Sequence, residues 1–83
     1  MQIRTDGVTW QEIDGELVLL DLERSVYLTT NASGALLTKL LVEDRSLDDL
    51  ADALVAQFEI QRDDALRDAQ AFVDELVEHQ LLR

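Results

Sequence analysis

Apolar and polar positions alternate loosely from Val8 to Ile13, run almost unbroken through Leu17, Val18, Leu19, Leu20 and Leu22, then alternate again from Val26. A period of two sends successive side chains to opposite faces of a strand. Residues 8–13 therefore predict a first strand, residues 16–22 a second and residues 25–30 a third. Asp14-Gly15 is a hairpin signal, because a tight primed turn needs φ > 0 at both central positions. Glu23-Arg24 turns the chain once more. The apolar run of the middle strand predicts cover on both of its faces. Hairpin connections order the strands first, second, third, so the third is an edge. Its Val26, Tyr27, Thr29 and Thr30 suit a pleated, half-buried surface. Alternation turns Val26, Leu28 and Thr30 toward the helices, with Tyr27 and Thr29 facing the other way.

At Asn31 the period changes. Its side-chain oxygen suits an N-cap, and Ala32, Ala35, Leu36, Leu40 and Leu41 share one broad face of a first helix ending near Glu43-Asp44. Gly34 sits near the start, where its cost is lowest. Ser46 caps a second helix with Asp49 three residues on, a shorter relative of the capping-box acid, and Leu47, Leu50, Ala51, Leu54, Val55 and Phe58 repeat at helical spacing. After a connector over residues 59–62, Asp63 and Asp64 favour a helix N-terminus. Ala65, Ala69, Phe72, Val73, Leu76 and Val77 then form the stripe of a long third helix, and Leu81-Leu82 packs back at its end. Three strands followed by three helices predict an α+β domain.

The edge strand carries the functional question. Its outer row of N–H and C=O groups has no partner within the chain, which makes it either a liability or a docking site for another peptide. On the third helix, Leu66 and Val73 lie seven residues apart on one side, and the small or polar Ala69 and Gln70 leave a shallow trough between them. With that helix beside the edge strand, strand and trough make a groove. The expected peptide contacts are Val26, Tyr27, Leu28, Thr29 and Thr30 on the strand and Leu66, Ala69, Gln70 and Val73 on the helix. The plainer reading makes Val26, Leu28, Leu66 and Val73 core residues.

Charge and composition narrow the classes. Eighteen acidic against seven basic side chains give a net charge of -11 over 83 residues, enough for one domain spanning 1–83. A DNA-binding winged helix would share the inventory of elements, but phosphate binding needs clustered Lys and Arg, and the third helix is acidic. Partners are expected to be neutral or basic peptides and proteins, not nucleic acid. There is no cysteine, the lone His79 has no second base or ligand nearby in the sequence, and the acid clusters lack the glycine and closing Glu of a calcium loop. No catalytic constellation, metal site or cofactor is expected. Nothing resembles a signal peptide or a membrane span, so the expected compartment is the cytoplasm.

The ordered set Gly15-Glu16-Leu17-Val18-Leu19-Leu20-Asp21-Leu22, Tyr27, Asn31-Ala32-Ser33-Gly34-Ala35, Phe72-Val73-Asp74-Glu75-Leu76 and Leu81-Leu82 resembles the PqqD-like family. These are recognition elements for ribosomally synthesised, post-translationally modified peptides. The stand-alone form with this helix start is most similar to the leader-binding proteins of lasso peptide biosynthesis. The resemblance implies a winged helix-turn-helix-like fold that binds the precursor's leader as a fourth strand against the third strand and last helix. It also implies a partner leader peptidase, a cysteine protease, and a ring-forming cyclase. Two residues depart from the family pattern. Thr30 stands where Leu usually precedes the Asn, and Gln80 stands where Gly commonly precedes the terminal Leu pair.

Overall fold

The computed structural model describes all 83 residues as β1 (Val8–Ile13), β2 (Glu16–Asp21), β3 (Val26–Thr30), α1 (Ala32–Leu40), α2 (Leu47–Phe58) and α3 (Arg62–Glu78). The sheet is antiparallel in the order β1-β2-β3, with Trp10, Leu19 and Leu28 aligned across it. Asp14 and Gly15 take φ of 53° and 81°, the two left-handed positions that a primed hairpin requires. The second hairpin is longer than the pattern predicts. Asp21 accepts the backbone N–H groups of Glu23 and Arg24 at 3.1 and 3.2 Å, and Ser25 turns left-handed at φ 55°. Strand pairing thus stops at Asp21, leaving Leu22 exposed in the turn.

All three helices cover one face of the sheet, which corrects the expectation for the middle strand. Leu17 and Leu19 are fully buried, while Val18 and Leu20 are half-exposed on the open face. There Val18 lies between Gln11 and Thr29, and Leu20 between Thr9 and Tyr27, so cross-strand neighbours supply partial cover.

The helix caps form as the sequence predicts. Gly34 N donates to Asn31 Oδ1 at 2.9 Å, and Ser46 and Asp49 exchange both capping-box hydrogen bonds. α1 stops at Leu40, short of Glu43-Asp44, and its buried face is Gly34, Ala35, Leu37 and Thr38, continued by Leu41. Ala32 is exposed and Leu36 and Leu40 are half-buried, so the face is rotated from the one predicted. Thr38 is tolerated inside because its Oγ1 donates to Gly34 O at 2.8 Å within the helix. Gly34 has a steric reason: a Cβ there would lie 2.8 Å from Thr30 Cβ and 3.2 Å from Phe72 Cε1. It lets α1 approach both the end of β3 and α3.

The core joins Leu17 and Leu19 with Leu37, Leu41, Leu50, Leu54, Ala65, Ala69 and Leu76. Val77, predicted in the apolar stripe of α3, stays largely exposed, and Phe58, predicted in that of α2, is 38% exposed. An unpredicted layer is the N-terminal segment. Ile3 bridges Leu82 antiparallel, with Arg4 N donating to Leu81 O at 2.8 Å and Arg83 N to Gln2 O at 2.9 Å. Ile3 N also donates to Leu41 O at 2.9 Å, so residues 2–4 tie the end of α1 to the segment after α3.

Candidate functional site: the free edge of β3 and its groove

Every backbone hydrogen bond of β3 goes to β2. None of the bonds outside the helices and strands involves residues 26–30, so the outer edge of the strand is unpaired. Side chains along it alternate as predicted: Val26 and Leu28 are half-buried, Thr30 is buried, and Tyr27 and Thr29 are exposed on the open face. Thr30 keeps the core satisfied despite its hydroxyl, which donates to Leu17 O at 2.9 Å.

α3 packs chiefly on α2 and stands off from β3. The space between is a groove of about 320 Å³, bounded by Thr29, Thr30 and Gly34 on one side and by Asp68, Ala71, Phe72 and Glu75 on α3. Past Asp68 it continues into a second recess of about 330 Å³, to which Leu54, Phe58 and Ile60 contribute apolar surface. The first groove is mostly polar around Leu37, Ala71 and Phe72, the second recess is more apolar, and together beside a strand edge they can seat alternate residues of an extended peptide while the edge pairs its backbone.

The helix residues expected in the trough are placed differently. Ala69 is 0% exposed and Val73 8%, both part of the core, so neither offers a groove floor. Leu66 is half-buried, and Gln70 is exposed with its Nε2 donating to Asp74 Oδ1. Two residues, or roughly 200° of helical rotation, separate Leu66 from Asp68 and Gln70 from Phe72. The groove beside β3 therefore runs along the opposite flank of the buried stripe. The missed residues are Gly34, Asp68, Ala71, Phe72 and Glu75. The available signals were the glycine at a helix start and an aromatic at the border of the stripe with acids four before and three after it.

His79 makes no site. It caps α3, with Nδ1 2.8 Å from Glu75 O at the helix end. The acids Asp48 and Asp52 are occupied by Arg62, and Asp64 pairs with Arg67. These are surface ion pairs, and Asp52, with Asp48 behind it, holds the Arg62 side chain more firmly protonated than usual.

A three-stranded sheet with one unpaired edge, followed by three helices of which the last borders a groove at that edge, defines an α+β domain of the winged helix-turn-helix-like kind. The family described as coenzyme PQQ synthesis protein D (PqqD) matches residues 16–82, and the chain belongs to that family. Two solved structures are similar over nearly their whole lengths. TbiB1 in complex with the TbiA(beta) leader peptide is 32% identical, with a TM-score of 0.87 over 100% of this chain and 95% of that one. Lasso peptide synthetase B1 complexed with the leader peptide is 31% identical, with a TM-score of 0.81 over 96% of this chain and 93% of that one. No curated protein sequence matches the chain.

Proposed function

We propose that this chain binds the leader region of a ribosomally synthesised precursor peptide, of the lasso class, by adding it as a fourth strand to β3 and seating its side chains in the groove along α3. One observation carries the reading. The free edge of β3 lies beside a groove of about 320 Å³ in a chain that aligns along its length with two leader-complexed relatives. In this reading Val26, Tyr27, Leu28, Thr29 and Thr30 offer backbone groups, and Gly34, Ala71 and Phe72 bound the side-chain seats. The chain acts as an adaptor without catalysis of its own, presenting the leader to a separate leader peptidase and then to a ring-forming cyclase in the cytoplasm. No helix is long and apolar enough to cross a membrane.

Magnitudes divide the work between edge and groove. Ordering a disordered leader costs about 2–5 kcal/mol, while each ladder hydrogen bond nets only about 0.5–1.5 kcal/mol. The backbone alone roughly breaks even. Submicromolar binding, beyond about -8 kcal/mol, then needs two or three apolar leader side chains buried at about 1.5–3 kcal/mol each. Strand addition sets orientation and register, and the groove sets affinity.

The test is titration of a lasso-precursor leader peptide from the source genome, read by fluorescence anisotropy, with hydrogen exchange read on β3. Bound leader should slow exchange of the outward amides of β3. Ala71→Arg, on the groove flank, should weaken binding at least tenfold, about 1.4 kcal/mol. Gln70→Arg adds the same charge on the far flank and should leave affinity within about twofold. Equal losses from the two variants, or unchanged exchange at β3, would refute this placement.

A further inference from the structure

We infer that Asp68 and Glu75 make the groove selective for leader segments in which an apolar side chain is flanked on both sides by basic ones. This rests on the leader-binding reading above and adds to it the chemistry of the segment recognised. Both carboxylates line the groove, one on each side of the half-buried Phe72, and neither has an ion-pair partner. The chain has seven Lys and Arg side chains. Six of them, Arg4, Arg24, Lys39, Arg45, Arg62 and Arg67, pair with acids away from the groove, and Arg83 reaches Gln2 Oε1. No cation of the chain lines the groove, so the two charges there are left for a ligand to meet.

Spacing gives the pattern. Asp68 is four residues before Phe72 and Glu75 three after, about 6 and 4.5 Å along the helix axis. An added strand repeats side chains on one face every 6.8 Å or so, two residues of about 3.4 Å each. A leader residue seated against Phe72 thus brings its neighbours two before and two after to the two carboxylates, and the long arms of Lys or Arg absorb the remaining offset. The recognised segment reads basic, any, apolar, any, basic. Asp68 also borders the recess at Phe58 and Ile60, so a second apolar residue beyond the basic one nearest Asp68 fits the same face.

The probes are two synthetic 15-residue peptides in a Thr/Ser background with three Leu at every fourth position, on one face of the extended chain, the middle one carrying either Lys or Gln two residues to each side of it. Fluorescence anisotropy at 50 mM and 300 mM salt should give the Lys peptide the tighter binding. Exposed ion pairs support an effect of about two- to fivefold for each carboxylate. The double variant Asp68→Asn/Glu75→Gln should erase the preference while leaving the Gln peptide unchanged. Glu16→Gln, a carboxylate at the start of β2 outside the groove, should retain it. An equal preference in wild type and double variant would mean that the overall negative charge, not these two residues, selects the ligand, and would overturn the inference. If the Lys peptide fails to bind while the lasso-precursor leader still slows exchange at β3, this inference falls and leader binding stands. If neither binds, both fall.

Discussion

Gln80 takes φ 56° directly after the C-cap of α3, a conformation that costs a residue with a Cβ about 1–2 kcal/mol. The chain accepts it because the turn completes a Schellman motif. Leu81 N donates to Leu76 O at 2.8 Å and Gln80 N to Val77 O at 3.0 Å, and the following Leu81 is buried. The conformation would suit a glycine, and the two hydrogen bonds keep its geometry intact with Gln80 in place. Gln80→Gly should remove the strain but give back about 0.5–1 kcal/mol through the looser unfolded chain. The expected gain is at most about 1.5 kcal/mol, measured as a higher urea midpoint with unchanged slope. A loss of stability would mean that the Gln80 side chain contributes contacts beyond its backbone. The other departure, Thr30, is settled by the hydroxyl's bond to Leu17 O.

Among the elements, strands, turns and caps were legible because their causes are local. Asp14-Gly15 demands a primed turn wherever it stands, and Asn31, Ser46 and Asp49 carry their own capping bonds. The flank of α3 that faces β3 was not legible. It depends on how the helix is rotated about its axis, which the packing of Ala65, Ala69 and Leu76 into the core decides. Leu66 and Val73 made one flank look apolar, whereas the groove uses the flank of Asp68, Phe72 and Glu75. The same nonlocal cause explains the rotated face of α1, where Gly34 was legible as a tolerated glycine but not as the point where three elements meet. Gly34→Ala tests that contact. Helix propensity alone favours Ala by about 1 kcal/mol, but a Cβ 2.8 Å from Thr30 Cβ overpacks the junction, a cost of about 1–3 kcal/mol. The variant should be neutral to about 2 kcal/mol less stable by urea denaturation. A gain near 1 kcal/mol would mean that β3 and α1 separate freely, and that the groove wall is softer than its contacts indicate.

Over the whole molecule, a charge of -11 invites the expectation that acid stabilises the fold by relieving repulsion. The individual carboxyls argue the other way. Burial pushes the Asp21 carboxyl up, but the Arg24 N–H, the Arg4 guanidinium at 2.7 Å and the Glu23 N–H together hold it below the usual range. The Asp44 carboxyl is lowered by the N-terminal ammonium, and the Asp49 carboxyl by the Ser46 backbone N–H and hydroxyl. In each case the folded pKa lies below the unfolded value of about 3.9. The unfolded chain therefore binds more protons in this window, and stability rises with pH. These contributions are fully present above the unfolded value and are lost as pH falls through the depressed folded ones. Asp21 matters most for the architecture, because it is buried and joins the β2–β3 turn to the N-terminal segment that also ties down the end of α3. Urea midpoints should stay nearly level from pH 7 to 5 and fall steeply below 4. Asp21→Asn should start from a lower midpoint at pH 7 and lose less on acidification. A midpoint that climbs toward pH 4 in the parent chain would show that relief of repulsion outweighs the bonds to Asp21, and a parallel fall in both chains would assign the acid sensitivity to other carboxyls.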